Sequence, residues 1–259
     1  MSNPEKQSDY NSHPGGDTEF WQDDWVKQYD RRQALVVEKK QEVLNSMVRI
    51  VAYFCQKRAI KNPTILDVGC GPGTLSAPLL DKLPNSTVVG VDASEQMVEA
   101  ARRNLVPEYE TRFSGYVCDF NSDDFWISSI EKEYDFIVSS IALHYLSDTR
   151  RQRFFVEIFN HLDGQGIFVA CIGNRSGVSE IAEMEHSFRA EFLWNNLDQT
   201  KRPESFEDFK KDFIEEKETK ANINWQSPEE YLDCMRNAGF KMVDIVWHLW
   251  VKSIYVAIK

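Results

Sequence analysis
The decapeptide Ile65-Leu66-Asp67-Val68-Gly69-Cys70-Gly71-Pro72-Gly73-Thr74 decides how the rest of the chain is read. Its first half is a short apolar run with the character of a buried strand; its second half is a glycine-rich turn leading into a helix-like stretch at 75–83. Glycines permit a tight turn and let backbone touch a ligand, while the helix that follows offers free N–H groups to a negatively polarised group. A strand that runs straight into such a turn predicts a ligand site at its carboxyl end.

Working outward, residues 64–68, 87–91, 115–118, 135–139 and 166–170 each read as a buried strand, being short, rich in β-branched or aromatic residues and bounded by turn signals. Helix-like segments at 75–83, 94–105 and 149–162 alternate with them. This rhythm predicts an α/β fold, a parallel sheet with right-handed crossovers and helices on both faces. Towards the C-terminus, Ser227-Pro228-Glu229-Glu230 is a capping box with proline at the first helical position, and Gly239 is placed to end that helix. The β-rich runs 240–247 and 250–258 follow, too close together for a helical crossover, so they must pair antiparallel.

Residues 1–18 carry almost no apolar side chains and read as a floppy tail. From Phe20, Trp21 and Trp25 to about Ile60, apolar residues recur at three- and four-residue spacings, so residues 19–60 are expected to be helical and to cover the site. Residues 61–259 make the main domain. Within it 172–226 is too long for a plain connection and reads as a helical lid, with Ile181, Met184, Phe188 and Phe192 at helical spacing and the mixed-charge run 201–220 as a solvated face.

Three carboxylates sharpen the site. Asp92 ends the second strand some 20 residues after the glycines, where an acid can accept both hydroxyls of a ribose, a position that fits NAD and adenosyl cofactors equally. Asp67 precedes the first glycine by two residues, where it can orient the loop or bind an ammonium group. Asp119 follows the third strand, where an acid can accept from an exocyclic adenine amine. Their recurrence at the carboxyl ends of successive strands matches the edge along which open α/β sheets bind ligands.

From about Ile65 to its end the chain resembles the class I S-adenosylmethionine-dependent methyltransferases. The family's glycine motif is matched by Asp67-Val68-Gly69-Cys70-Gly71-Pro72-Gly73, its ribose acid by Asp92, its adenine-side acid by Asp119 and its fourth-strand segment by residues 134–146. The resemblance implies a Rossmann-like, mostly parallel seven-stranded sheet with an antiparallel last strand, and S-adenosyl-L-methionine as cofactor with S-adenosyl-L-homocysteine as product. It implies that Gly69, Cys70 and Gly71 approach the methionine part, Asp92 the ribose, Ala93 and Met97 the adenine surroundings, and Asp119 with Phe120 the adenine edge. Ser139 and Ser140, in the matched fourth-strand segment, join the cofactor-side set. Tyr29 is the counterpart of a tyrosine that covers the cofactor in several relatives.

Methyl transfer from a sulfonium needs alignment and exclusion of water rather than a metal or a nucleophile. A hydroxyl or protonated amine as acceptor is helped by a base, and His144, just past the fourth strand, is the candidate, with Tyr145 beside it. His186 and Arg189 lie on the lid among Phe188, Phe192 and Trp194; these two could reach the acceptor, but the plainer expectation is that the aromatics pack the lid down and the polar pair faces water.

Lys and Arg number 30 against 41 Asp and Glu, a net charge of -11, which disfavours nucleic acid as a partner and leaves a small-molecule acceptor. Five widely spaced cysteines without a CxxC pair, and no apolar run of membrane length or signal-peptide type, point to a reducing, cytoplasmic setting without metal. The rival readings are an NAD-dependent oxidoreductase, a carboxy-S-adenosylmethionine synthase and a silent cofactor-binding module. The Tyr53-x-x-x-Lys57 spacing used by short-chain dehydrogenases lies upstream of the glycine loop rather than downstream, and reads as coincidence. The synthases resemble the chain in their lid and last strands but depart from Gly-Cys-Gly-Pro-Gly.

Overall fold
Val68 is the last residue of strand β1 (Thr64–Val68), whose Ile65, Leu66 and Val68 are completely buried, which is why this run stays extended between two layers of helix. The computed structural model describes residue 33 and residues 37–127, 130, 132–198, 202–219 and 226–259. Tyr29, the tail and the aromatic cluster at Phe20, Trp21 and Trp25 lie outside the described residues.

The order along the chain is α1 (Lys40–Lys57), β1, α2 (Ser76–Lys82), β2 (Thr87–Asp92), α3 (Glu95–Tyr109), β3 (Phe113–Val117), β4 (Tyr134–Ser140), a 3-10 turn (Leu143–Tyr145), α4 (Asp148–His161), β5 (Leu162–Gly173), α5 (Ser179–Asn196), α6 (Phe206–Thr219), α7 (Pro228–Ala238), β6 (Met242–Leu249) and β7 (Lys252–Ile258). The seven strands lie in the order β3-β2-β1-β4-β5-β7-β6. β1 pairs parallel with β2 and β4, β2 with β3, and β4 with β5, whereas β7 is antiparallel to both β5 and β6. The mostly parallel Rossmann-like sheet and the antiparallel final pairing are therefore as expected.

Some boundaries differ. β3 begins at Phe113, two residues earlier than the turn residues implied, and α3 continues to Tyr109 through Pro107. The reason is packing: Leu105 and Tyr109 are buried beside Phe113, and burial outweighs the loss of one helical N–H. β5 runs on to Gly173, because its far end is paired with β7.

Each sheet face has its own core. On one side α1, α2 and α3 bury Val43, Met47, Val51, Leu79 and Leu105 against Ile65, Phe136 and Val169. On the other, α4 and α7 bury Phe154, Phe155, Ile158 and Tyr231 against Phe168 and Phe240. α7 starts as the sequence predicts. Ser227 Oγ accepts from the Glu230 amide at 3.2 Å, the Glu230 carboxylate accepts from the Ser227 amide at 2.7 Å, and Gly239 closes the helix at φ 113°.

The segment between β5 and α7 corrects two expectations. The charged run after Lys201 contains α6, whose Phe209 and Phe213 are buried with Ala190, Leu193 and Leu197 of the α5 segment, so it is a second amphipathic layer rather than a plain solvated face. On α5 the apolar residues at helical spacing, Ile181, Met184 and Phe188, are the exposed ones. The buried face is Ala182, Glu185, His186, Ala190 and Leu193. The polar pair does not face water: His186 is 1% exposed, and Nε and Nη1 of Arg189 are both buried.

Candidate functional site
The direction of strand progression reverses between β1 and β4, and a crevice must open there above the carboxyl edge, because the connections leave on opposite sides. A cleft occupies this position, lined by Asp67, Gly69, Cys70, Thr74 and Leu75 from the β1 side, Ser140 and Ile141 from the β4 side, and Gln33, Lys40 and Leu44 from the segment around α1.

The glycine loop is shaped by backbone that only glycine accepts comfortably. Gly69, Gly71 and Gly73 have φ of 68°, 54° and 87°. A Cβ on Gly69 would stand 2.4 Å from the Ala142 Cβ, so the loop passes against the turn after β4 with no room for a side chain. Gly69 and Cys70 amides both donate to the Val91 carbonyl, at 2.8 and 2.9 Å. The Asn104 amide group on α3 donates to the Pro72 carbonyl at 3.0 Å.

Asp67 is fully buried. Its Oδ2 accepts from Ser76 Oγ at 2.7 Å, while Oδ1 has no hydrogen-bond partner among the described residues. Burial pushes its carboxyl up to about 7, and the nearby Asp92 adds to the shift while the Ser76 hydroxyl opposes it. A buried acid with an unused oxygen at the cleft wall is suited to a cation. Asp92 sits at the end of β2 with Oδ2 accepting from the Gly71 amide at 2.9 Å and Oδ1 from the Ser94 amide at 3.0 Å. Burial raises its carboxyl, against those two amides. Each oxygen keeps a further lone pair for a hydroxyl donor.

Ala93 follows the end of β2, Met97 lies on α3, and Asp119 and Phe120 follow β3. Ala93 is half-buried, Met97 is buried in the first turn of α3 with its amide donating to the Ser94 cap, and Phe120 is buried beside Phe154. Asp119 is exposed, and its Oδ1 accepts from the Asn121 amide at 2.8 Å. Ser139 is turned inward, its hydroxyl donating to the Val68 carbonyl at 2.8 Å, so it ties β4 to β1; Ser140 lines the cleft. Cys70 is buried, and burial raises its thiol well above the usual range, which leaves it unreactive.

His144 is buried in the 3-10 turn with its ring centroid 4.3 Å from that of Tyr145. Asn121 holds this turn in place: its Nδ2 donates to the Tyr145 carbonyl at 3.2 Å and its Oδ1 accepts from the Ser147 amide at 2.9 Å. The Arg189 guanidinium lies within electrostatic reach of Tyr145. Arg189 is pulled down to about 10 by burial, against the pull of Glu185.

Sequence reasoning missed Asn121, Ile141, Gln33, Lys40 and Leu44. Ile141 is a β-branched residue at φ 58°, a conformation that costs about 1–2 kcal/mol and is held here by its amide donating to the Cys171 carbonyl at 2.8 Å. Residue type gives no sign of it. By contrast Tyr53 and Lys57 lie together on α1, Tyr53 exposed and lining a separate groove with Val246 and Trp247, so their spacing belongs to no cofactor site. His161 stacks on Trp126, and no three His, Cys, Asp or Glu side chains are grouped to hold a metal among the described residues.

A family model described as a methyltransferase domain matches residues 65–166, the stretch from the glycine loop through β5. A malonyl-(acyl-carrier protein) O-methyltransferase of Bacillus cytotoxicus is 27% identical over 148 residues, covering 56% of this chain and 48% of that protein, so the chain spans about half of that relative. A carboxy-S-adenosyl-L-methionine synthase of Nautilia profundicola is 23% identical over 224 residues, covering 84% of this chain and 85% of that one. The crystal structure of magnesium protoporphyrin IX methyltransferase from Synechocystis PCC 6803 with bound S-adenosylmethionine superposes with a TM-score of 0.56 at 13% identity, over 96% of this chain and all of the other. The matched domain, the strand order and the loop after β1 agree: residues 65–166 carry a methyltransferase domain, set in a fold similar to that of the class I S-adenosylmethionine-dependent methyltransferases.

Proposed function
We propose that the protein transfers a methyl group from S-adenosyl-L-methionine to a small-molecule acceptor by in-line displacement, leaving S-adenosyl-L-homocysteine. The observation that carries this reading is the conjunction, at the β1/β4 crevice, of a glycine loop tied to Asp92 with a buried Asp67 oxygen that has no hydrogen-bond partner among the described residues. In this reading Asp67 takes the cofactor's ammonium, the Gly69–Gly71 backbone its methionine part, Asp92 its ribose, and Ala93, Met97, Asp119 and Phe120 its adenine. When bound, the cofactor supplies an electrophilic methyl on a sulfur that leaves readily.

What the chain itself contributes is position. The loop, the turn after β4 and the lid hold the acceptor in line and dry, an effect that can amount to about 7–11 kcal/mol. His144 takes a proton from an acceptor hydroxyl or ammonium, with Tyr145 packed against it and His186 and Arg189 of α5 assigned to hold the acceptor. Four buried thiols, Cys55, Cys70, Cys118 and Cys171, support a reducing, cytoplasmic setting as part of the same proposal.

A second reading, a carboxy-S-adenosylmethionine synthase, is favoured by the longer coverage of the Nautilia profundicola relative. Calorimetry with S-adenosyl-L-homocysteine and with NADH tests the first reading. Micromolar binding of the former alone supports it and NADH binding alone overturns it. Mass spectrometry of the spent cofactor then separates demethylation from carboxylation.

A further inference from the structure
The turn that carries His144 is restrained in three ways, and each fixes something different. Leu143 and Leu146 are completely buried, so apolar packing sets how deeply the turn sits in the core. Two bonds of its own hold its pitch, from the Tyr145 amide to the Ala142 carbonyl at 3.1 Å and from the Leu146 amide to the Leu143 carbonyl at 3.2 Å. Packing is non-directional, and internal bonds hold a turn together without fixing its rotation against its neighbours. The Asn121 side chain supplies that direction from another element. Its amide group takes the Tyr145 carbonyl at 3.2 Å and the Ser147 amide at 2.9 Å, bracketing Leu146.

Asparagine in a loop ordinarily turns its side chain onto its own nearby backbone. Asn121 instead commits both ends of its amide to backbone 24 and 26 positions away. The loop it belongs to is the one assigned to adenine. Its own amide donates to Asp119 Oδ1 at 2.8 Å and the Ser122 amide to the Asp119 carbonyl at 3.0 Å, so residues 119–122 form one tight unit. Within that unit the Phe120 ring passes 3.8 Å from where a Gly69 Cβ would stand, a place that Ala142 at the head of the His144 turn already fills. One short loop therefore meets the glycine loop through Phe120 and grips the His144 turn through Asn121, while the Asp119 carboxylate stays exposed.

We propose that Asn121 is a positioning residue that couples the adenine half of the cofactor site to the orientation of His144. This rests on the methyl-transfer reading, which places adenine at Asp119 and Phe120 and the acceptor at His144. A nucleoside held by Asp119 and Phe120 orders the 119–122 unit. The Asn121 amide passes that order to the Tyr145 carbonyl and the Ser147 amide, and the imidazole one residue upstream is aimed. The base is then aligned only while the methyl donor is present.

The test is NMR on the full chain titrated with S-adenosyl-L-homocysteine and, separately, with adenosine, which reaches the nucleoside half alone. The His144 imidazole signal is assigned by its loss in His144→Gln, and hydrogen exchange is read at the Ser147 amide. We expect both ligands to shift the His144 signal in the parent. In Asn121→Ala the Ser147 amide should exchange about tenfold faster or more, while the His144 shift on adenosine falls by about half or more and calorimetric affinity for S-adenosyl-L-homocysteine stays within a few-fold. Asn121→Asp keeps an acceptor for the Ser147 amide but turns an oxygen on the Tyr145 carbonyl. It should restore protection at Ser147 without restoring the His144 response, and it carries the test alone if Asn121→Ala does not fold. A His144 response unchanged in both variants, or absent from the saturated parent, would overturn the coupling. Binding of neither ligand to the parent overturns the methyl-transfer reading instead; the brace is then judged on the ligand-free variants, where Ser147 exchange and the His144 signal must both move for it to stand.

Discussion

The Gly71 amide donates to the Asp92 carboxylate at 2.9 Å, so the loop after β1 is fastened to the end of β2 by the same acid that the proposed function assigns to the ribose. Asp92 thus shapes one half of the site while contacting the other. Asp92→Ala is expected to weaken S-adenosyl-L-homocysteine by about tenfold or more, about 1.4 kcal/mol or above, as read by calorimetry. Unchanged affinity in a folded variant would remove Asp92 from the cofactor site.

Gly69 is held at φ 68° with the Ala142 side chain where its own Cβ would be. Gly69→Ala incurs both the left-handed backbone cost of about 1–2 kcal/mol and a contact that only movement of the turn after β4 can relieve. Loss of cofactor binding with a lowered Tm is the expected outcome. Gly69→Ala paired with Ala142→Gly should recover part of both, because the second change removes the obstructing methyl.

The pH dependence of the ligand-free protein has a definite sign at Asp67. Its folded carboxyl is raised to about 7, so the folded state holds a proton that the unfolded chain has already lost. Its stabilising contribution is full below the unfolded value of about 3.9 and is lost as pH rises through about 7. Asp67→Asn should therefore gain Tm relative to the parent at pH 8 more than at pH 5, while binding S-adenosyl-L-homocysteine more weakly. A Tm difference independent of pH would contradict the burial argument.

His144→Ala should lower turnover with the true acceptor by about 100-fold or more while leaving cofactor affinity within a few-fold. Normal turnover would assign the imidazole to packing against Tyr145 alone.

The α5–α6 pair has its own small core, and Phe209→Ala should loosen it without unfolding the sheet. Removal of a buried phenylalanine costs about 3–5 kcal/mol, more than a cluster of five buried residues can spare. Hydrogen exchange is expected to accelerate through α5 and α6 together, with β1, β4 and β5 unchanged.

The central architecture was legible because its signals are local. Residues 65–74 change from strand pattern to glycine turn within one decapeptide, and the Ser227 box and Gly239 bracket α7 with residue types whose capping chemistry is specific. Asp67, Asp92 and the Ser140 end of β4 could be placed because parallel strands deliver their carboxyl ends to one edge. The lid was not legible in the same way. On α5 the large apolar residues look outward, and the inward face is made of Ala182, Ala190 and Leu193 with His186 and Glu185 between them. Small residues carry little hydrophobic signal, so the stripe of Ile181, Met184 and Phe188 pointed the wrong way.

The position of β7 between β5 and β6 also orders the birth of the molecule. β6 is synthesised first, yet it has no place against β5, whose 167–173 edge pairs only with β7. That edge must wait, open, until the later strand slides in between. The glycine loop and Asp92 are fastened to each other through β1 and β2, whereas α1, which brings Lys40 and Leu44 to the crevice, shares its core with Ile254 and Val256 of β7. A ribosome-bound chain halted before residue 252 would then have the means to hold a nucleoside but no finished chamber in which to use it.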